Sequence, residues 1–179
     1  FFAGWEFPEK LINDADLVNK AYKSGVAMGS ALGSAPTADA SPQFLVWAVK
    51  DSLATNLQRI QMIKGWTENG KSMEQVFDIA CSDNLKPDPK TGRCPDNGAS
   101  VDINTCAVRA DKGAAELKVN WTDPAFKPDQ SAFYYVRILE NPSCRWSSYD
   151  AIRLGIAPLE NVPPTVQERA WSSPIWYSP

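Results

Sequence analysis

The sequence predicts a mainly β domain with short helices, built as an antiparallel β-sandwich. Three observations carry this. Residues 116–121 (ELKVNW) alternate polar and apolar side chains with a period of two, with Leu117, Val119 and Trp121 on one face. Two strand-like runs, 57–66 and 76–81, flank Glu68-Asn-Gly-Lys71, and an Asn-Gly pair is the strongest short-range hairpin signal. Fourteen Pro and ten Gly punctuate the chain, so elements are short and turns many.

Taken in order, residues 1–7 read as a strand. Residues 14–25 read as a short helix that Asn13 or Asp14 caps and Gly25 ends. GVAMGSAL suggests a short strand between glycines, and the small, polar stretch after it a loop. Phe44–Val49 is apolar on both faces, as a buried strand is. Leu57–Trp66 and Val76–Cys81 form the hairpin, with Phe77, Ile79 and Cys81 expected on one face and Asp78 on the other. Residues 82–113 form a long polar Cys-bearing loop, with a short strand at Val101–Ile103. Phe133–Leu139 is expected to pair with 116–121. Ser147–Gly155 reads as a short helix with a serine cap. The run 170–177 (AWSSPIWY) reads as a last strand, which Pro174 confines to an edge or a bulge. No internal repeat is visible, and 1–179 reads as one domain.

Composition excludes several functions. At 44 % hydrophobic and 11 % aromatic, the chain can build a core and does not read as disordered. The net charge is −3 with no Lys or Arg run, so a nucleic-acid footprint is unsupported. No segment reaches the ~18 apolar residues of a membrane span. There is no histidine. A Ser-His-Asp triad, a Cys-His pair and His-bearing zinc sites are thereby excluded within this sequence. Ser147, Ser148, Ser172, Ser173 and Lys64 have no recognisable base partner and receive no catalytic role.

Cys81, Cys94, Cys106 and Cys144 form no Cys-x-x-Cys pair, which disfavours zinc and thioredoxin-type chemistry. Two disulfides are the better reading, and four reduced thiols the alternative. If strands 116–121 and 133–139 form a hairpin, their outer ends meet. Cys106 then approaches Cys144, and Cys81 is left for Cys94.

Three further sites stand out. Asp83, Asp88, Asp96 and Asp102, with Asn97 and Asn104, offer oxygen ligands that could hold calcium. Their spacing departs from the EF-hand pattern, and a loop using them for turns is the simpler reading. Arg145-Trp146 and the tail residues Arg169, Trp171 and Trp176 are interface or binding candidates, since Arg beside exposed Trp marks contact surfaces. Asn120-Trp-Thr122 is a formal glycosylation sequon, but it falls inside an expected strand.

Five stretches, FFAGWEF, KSGVAMGSAL, FLVWAVKDSLATNLQRIQMIKGW, WTDPAFKPDQSAFYYVRILENPSCRW and QERAWSSPIWY, span the chain from end to end. Together they resemble the C-terminal part of the bacterial domain-of-unknown-function family 3604, metallohydrolases similar to the polymerase-and-histidinol-phosphatase type. The resemblance implies an upstream domain whose His and Asp clusters bind divalent metal. It transfers no catalytic residue to this sequence, and no cofactor is expected here. Two features depart from it: the chain opens inside a strand-like run, and residues 81–106 carry a Cys-bearing insertion. The first suggests a piece of a longer chain. The resemblance also implies an exported or periplasmic bacterial protein, which suits oxidised cysteines.

The leading expectation is a non-catalytic C-terminal domain that packs on the upstream catalytic half of the same protein and supports it. One alternative is a free-standing carbohydrate- or ligand-binding module with Trp platforms. Another is a structural remnant of proteolysis.

Overall fold

The computed structural model describes residues 1–179. Its strands are β1 (Phe2–Gly4), β2 (Gly25–Ala27), β3 (Ala31–Leu32), β4 (Gln43–Val49), β5 (Leu57–Glu68), β6 (Lys71–Cys81), β7 (Val101–Asp102), β8 (Ala107–Val108), β9 (Glu116–Thr122), β10 (Ala132–Glu140), β11 (Ser143–Cys144), β12 (Thr165–Val166), β13 (Arg169–Trp171) and β14 (Ile175–Tyr177). Two helices, α1 (Leu17–Ser24) and α2 (Trp146–Leu154), and a 3₁₀ turn over Glu9–Asn13 complete the fold. No helix is long and apolar enough to cross a membrane.

Two sheets enclose one core, so the mainly β, antiparallel, sandwich-like class holds. The smaller sheet runs β2-β1-β4-β9, and the larger runs β3-β14-β10-β5-β6 with β13 also on β10. All pairings are antiparallel except β14 with β3. Phe44, Val46 and Leu117 of the smaller sheet meet Ile60, Met62, Tyr134, Val136 and Ile175 of the larger. These side chains alternate along their strands, so period-two patterning is what builds the core. A second cluster lies outside the smaller sheet. There Leu17 and Ala21, one turn apart on α1, cover Leu45 with Phe7 and Leu11.

Several expectations need correction. The first strand is only three residues long: the chain bends at Trp5, and Pro8 leads into the 3₁₀ turn. Helix α1 begins at Leu17, later than expected. Asp14 instead accepts the Asp16 N–H at 2.8 Å and makes a turn before the helix. The helix at 146 has no serine cap: Arg145 precedes it, and Ser147 and Ser148 are buried inside its first turn. The last strand is two strands, β13 and β14, with Pro174 in the break.

The largest correction concerns β9 and β10, which do not pair. Strand β9 lies beside β4 in one sheet and β10 beside β5 in the other. The connection 123–131 therefore crosses between sheets instead of making a hairpin. The Asn69-Gly70 hairpin is confirmed: both residues have positive φ, 52° and 72°, as a tight two-residue turn requires. Its arms are longer than expected because they stay paired from Glu68↔Lys71 to Arg59↔Cys81.

A β-bulge in this hairpin changes which residues share a face. Ile60 pairs with Ala80 but Gln61 pairs with Asp78, so Ile79 is the extra residue. Phe77, Ile79 and Ala80 all turn to the core. Cys81 is thereby moved to the outer face with Asp78, against the simple alternation.

Candidate functional site

The outer face of the larger sheet collects the chain's most organised polar groups. Pairing registers arrange it in rows across β6, β5, β10 and the β13–β14 edge. One row is Glu74–Gly65–Phe133–Trp176. The next is Val76–Ile63–Tyr135. The third is Asp78–Gln61–Arg137–Trp171, and the fourth Cys81–Arg59–Leu139–Arg169.

The third row is a hydrogen-bonded chain. Arg137 Nε donates to Gln61 Oε1 at 2.7 Å, and Gln61 Nε2 donates to Asp78 Oδ1 at 2.6 Å. Asp78, whose side chain is fully buried, also receives Arg59 at 3.2 Å, Arg93 at 3.3 Å and the Cys94 N–H at 2.8 Å. Two guanidinium groups thus bond one carboxylate and a third, Arg137, is linked to it through Gln61, leaving a local excess of positive charge on a chain that is negative overall. A buried charge needs such partners, and Asp78 has them.

The Cys81–Cys94 disulfide closes this arrangement. Its Cα atoms lie 5.7 Å apart, and it holds the loop so that the Cys94 amide reaches Asp78. The second disulfide joins Cys106 to Cys144, with Cα atoms 5.6 Å apart. Both pairings match the expectation, but the premise for the second fails. The start of β9 and the end of β10 meet across the two sheets, not within a hairpin. Hydrogen bonds from Asn141 Nδ2 to the Lys112 carbonyl and from Asn141 N to the Asn56 carbonyl mark that junction.

The four aspartates proposed for calcium are not brought together. Asp88 accepts the N–H groups of Lys90 and Thr91, Asp96 that of Gly98, and Asp102 that of Asn104 with the Thr105 hydroxyl. Each closes its own turn. Asp83 accepts Ser82 Oγ, Asn97 Nδ2 and the Gly113 N–H, and so pins the loop to the strand junction. Burial opposes ionisation of Asp83, but hydrogen bonds from Ser82, Gly113 and Asn97 outweigh it and hold its carboxyl below the ordinary 3.8. No group of three or more Cys, Asp or Glu side chains gathers as metal ligands do.

The interface candidates separate. Arg145 is structural: its Nε donates to the Pro163 carbonyl at 3.1 Å and its backbone N–H to that of Pro164 at 2.9 Å. Trp146 stands 70 % exposed at the start of α2 and stacks on no other ring. Trp171 and Trp176 are also half exposed and lie on the outer face with Arg169. Trp176 packs on Phe133, ring centroids 5.3 Å apart, and Phe133 lies flat on Gly65, where any Cβ would strike its ring. Together they border a groove of about 460 Å³ that also includes Glu74, Ser72 and Trp66. The chain's two ends are close, since the Trp5 and Tyr177 rings lie 5.9 Å apart, but they belong to different sheets.

Sequence reading missed two groups. One is the Arg59–Gln61–Asp78–Arg137 chain. Its signal was present as long polar residues at alternate positions of otherwise apolar strands. The other is a buried ion pair inside the sandwich. Lys64 Nζ meets Asp123 Oδ2 at 2.6 Å and the Ala125 carbonyl at 2.7 Å, and Tyr134 donates to the same Oδ2 at 2.8 Å. Burial, reinforced by the Asp123 carboxylate, pushes the Tyr134 phenol well above its ordinary range. Tyr134 therefore stays a neutral donor. Asn120 lies within β9 with a buried Oδ1, so the sequon is part of a packed strand.

Neither the curated proteins nor the solved structures include a match to this chain. A protein-family model does match, over residues 1–179. The chain therefore belongs to the family described as "Protein of unknown function (DUF3604)".

Proposed function

We propose that this chain is a non-catalytic β-sandwich domain that packs on a metal-dependent hydrolase region of the same protein and shapes one wall of its cleft. One observation carries the reading. Trp171, Trp176 and Arg169 stand exposed together along the β13–β14 edge, beside a rigid network that orients Arg137. Large aromatics and Arg are the side chains that carry contact surfaces. The acidic side chains offer little alternative employment: Asp78 and Asp123 are held in ion pairs, and the loop aspartates in turns. Two disulfides fit a domain that works after export, in the periplasm or beyond.

The test is an activity assay. The chain alone, given Mn²⁺ or Zn²⁺, is expected to leave p-nitrophenyl phosphate and p-nitrophenyl acetate unhydrolysed. Joined to the region that precedes it in its gene, it should accompany metal-dependent hydrolysis. Turnover by the chain alone would overturn the reading.

The groove beside Phe133 and Trp176 favours a second reading, a ligand-binding module that stacks a sugar ring on these aromatics. It predicts a shift in Trp fluorescence with neutral oligosaccharides, abolished in Trp176→Ala. An unchanged spectrum across a panel of such sugars counts against it.

A further inference from the structure

The β13 edge of the larger sheet is unfinished in a specific way. Strand β13 pairs with β10 alone. The bonds from Ser172 N to the Val136 carbonyl and from Glu140 N to the Glu168 carbonyl fix the alternation of this ladder. Ala170, opposite Ile138, therefore turns its N–H and C=O toward β10. Those of Arg169 and Trp171 point away from the sheet. All three residues are exposed. Natural edges are normally blunted by brevity, bulges or a cover; this one has only its three-residue length, and its outward N–H and C=O groups are a template for another strand.

Beside this edge the sandwich is open. Strand β1 accompanies β4 only over Gln43–Leu45, so Val46–Val49 has no paired strand on that side. The opening is a groove of about 280 Å³ between the sheets, lined by Ala48, Leu57, Ile138 and Ala170, with Glu140 and Glu168 at one end. The edge thus presents a readable series. By alternation Glu168 and Ala170 turn their side chains toward the groove and Arg169 and Trp171 turn theirs to the outer face, with Arg169 also bordering the groove.

We propose that the β13 edge accepts an extended polypeptide segment as an added antiparallel strand. The partner's chemistry follows position by position, since residues directly opposite share a face. Read from its N-terminus, it carries an aromatic against Trp171, a branched apolar residue filling the groove at Ala170, a carboxylate against Arg169 and a cation against Glu168. Main-chain bonds to Arg169 and Trp171 supply affinity, and the alternating side chains supply specificity. The inference rests on the docking reading above and names its point of contact.

The test is an NMR titration of the ¹⁵N-labelled chain with the capped peptide Thr-Tyr-Val-Glu-Lys-Thr. Shifts and slowed amide exchange are expected at Arg169 and Trp171. The charge-swapped peptide Thr-Tyr-Val-Lys-Glu-Thr should bind on the order of ten-fold more weakly, because two opposite-charge pairs become like-charge pairs. Arg169→Glu, with folding checked by circular dichroism, should weaken the first peptide and reduce that preference. No shift at β13, shifts confined to the Trp176 groove, or equal binding of both peptides would each overturn the edge proposal. The docking reading is judged separately, by the activity assay, and can survive that result.

Discussion

Replacing Lys64 by Met should cost more stability than any surface change in this protein. Lys64 and Asp123 are 3 % and 0 % exposed at their side chains, so both charges have left water. Their separation is 2.6 Å, and the remaining capacity is filled by the Ala125 carbonyl on one side and by Tyr134 and the Ala125 N–H on the other. Removing Lys64 leaves the Asp123 carboxylate buried with hydrogen bonds but no counter-charge. Breaking a buried pair in this way typically costs about 3–5 kcal/mol. For a chain of this size each kcal/mol corresponds to roughly 2–4 °C in Tm, so a fall of about 10 °C is expected. The double variant Lys64→Met, Asp123→Asn removes both charges and keeps an acceptor for the Ala125 N–H. It should recover most of the loss, since a buried pair contributes little beyond a well-packed neutral substitute. Urea unfolding at neutral pH, with disulfides intact, measures all three proteins together with Asp123→Asn alone. A loss below about 1 kcal/mol for Lys64→Met, or a double variant no better than the worse single one, would show that the pair is solvated and the reasoning wrong.

Three other outcomes are expected. On chain-entropy grounds, removing Cys106–Cys144 should cost about 4 kcal/mol and removing Cys81–Cys94 about 3, given sequence separations of 38 and 13; non-reducing peptide mapping that finds free thiols or another pairing would refute the framework. Deleting residues 166–179 should unfold the domain at ordinary temperatures, because it strips β13 and β14 from β10 and removes the buried Ile175 and Tyr177; an unchanged Tm would make the tail an appendage. Asp83, Asp88 and Asp102 all have carboxyls held below their ordinary 3.8, Asp83 against its burial and the other two chiefly by backbone N–H donors. Groups depressed on folding stabilise above the unfolded value, so stability should hold from neutral pH down to about 4 and fall below it, with a shallower fall in Asp83→Asn.

Local signals in the sequence were informative where one strand or one turn decides the outcome. The alternation at 116–121, the Asn69-Gly70 turn and the apolar run at 44–49 each became the expected element, because each is specified by residues close in sequence. Partner choice was not legible. Strands β9 and β10 are neighbours in sequence and both half apolar, and nothing in either shows that 123–131 crosses between sheets. At the start of the crossing Asp123 turns inward to Lys64, a contact over 59 positions that no local pattern announces. The disulfide pairing came out right because a sandwich brings the same strand ends together as a hairpin does. The bulge at Ile79 was equally hidden, since one extra residue leaves no compositional trace. Of the candidate surface, the Trp and Arg residues were visible as types. Their sorting into Arg145 as a loop clasp and Arg169 as an exposed edge residue required the registers.

That bulge also explains why the outer face is organised at all. Without the shift at Ile79, Cys81 would point into the core and could not reach a loop cysteine outside the sheet. With it, Cys81 joins Asp78 on the outer face and the disulfide brings the Cys94 amide to the Asp78 carboxylate. Asp78 in turn fixes Gln61, and Gln61 fixes Arg137, the residue opposite Trp171 on β13. A covalent link on β6 is thus transmitted across four strands, through side chains that have few alternative rotamers once buried. The consequence reaches the proposed contact. Reduction of Cys81–Cys94 should loosen Arg137 and the adjoining β13 edge before the β5–β10 ladder responds. Hydrogen exchange of the reduced protein would record that order, with Ala170 and Ser172, whose amides bond across to β10, losing protection ahead of Ile63 and Tyr135 in the β5–β10 ladder; simultaneous loss at all four would mean that the edge has no stability of its own.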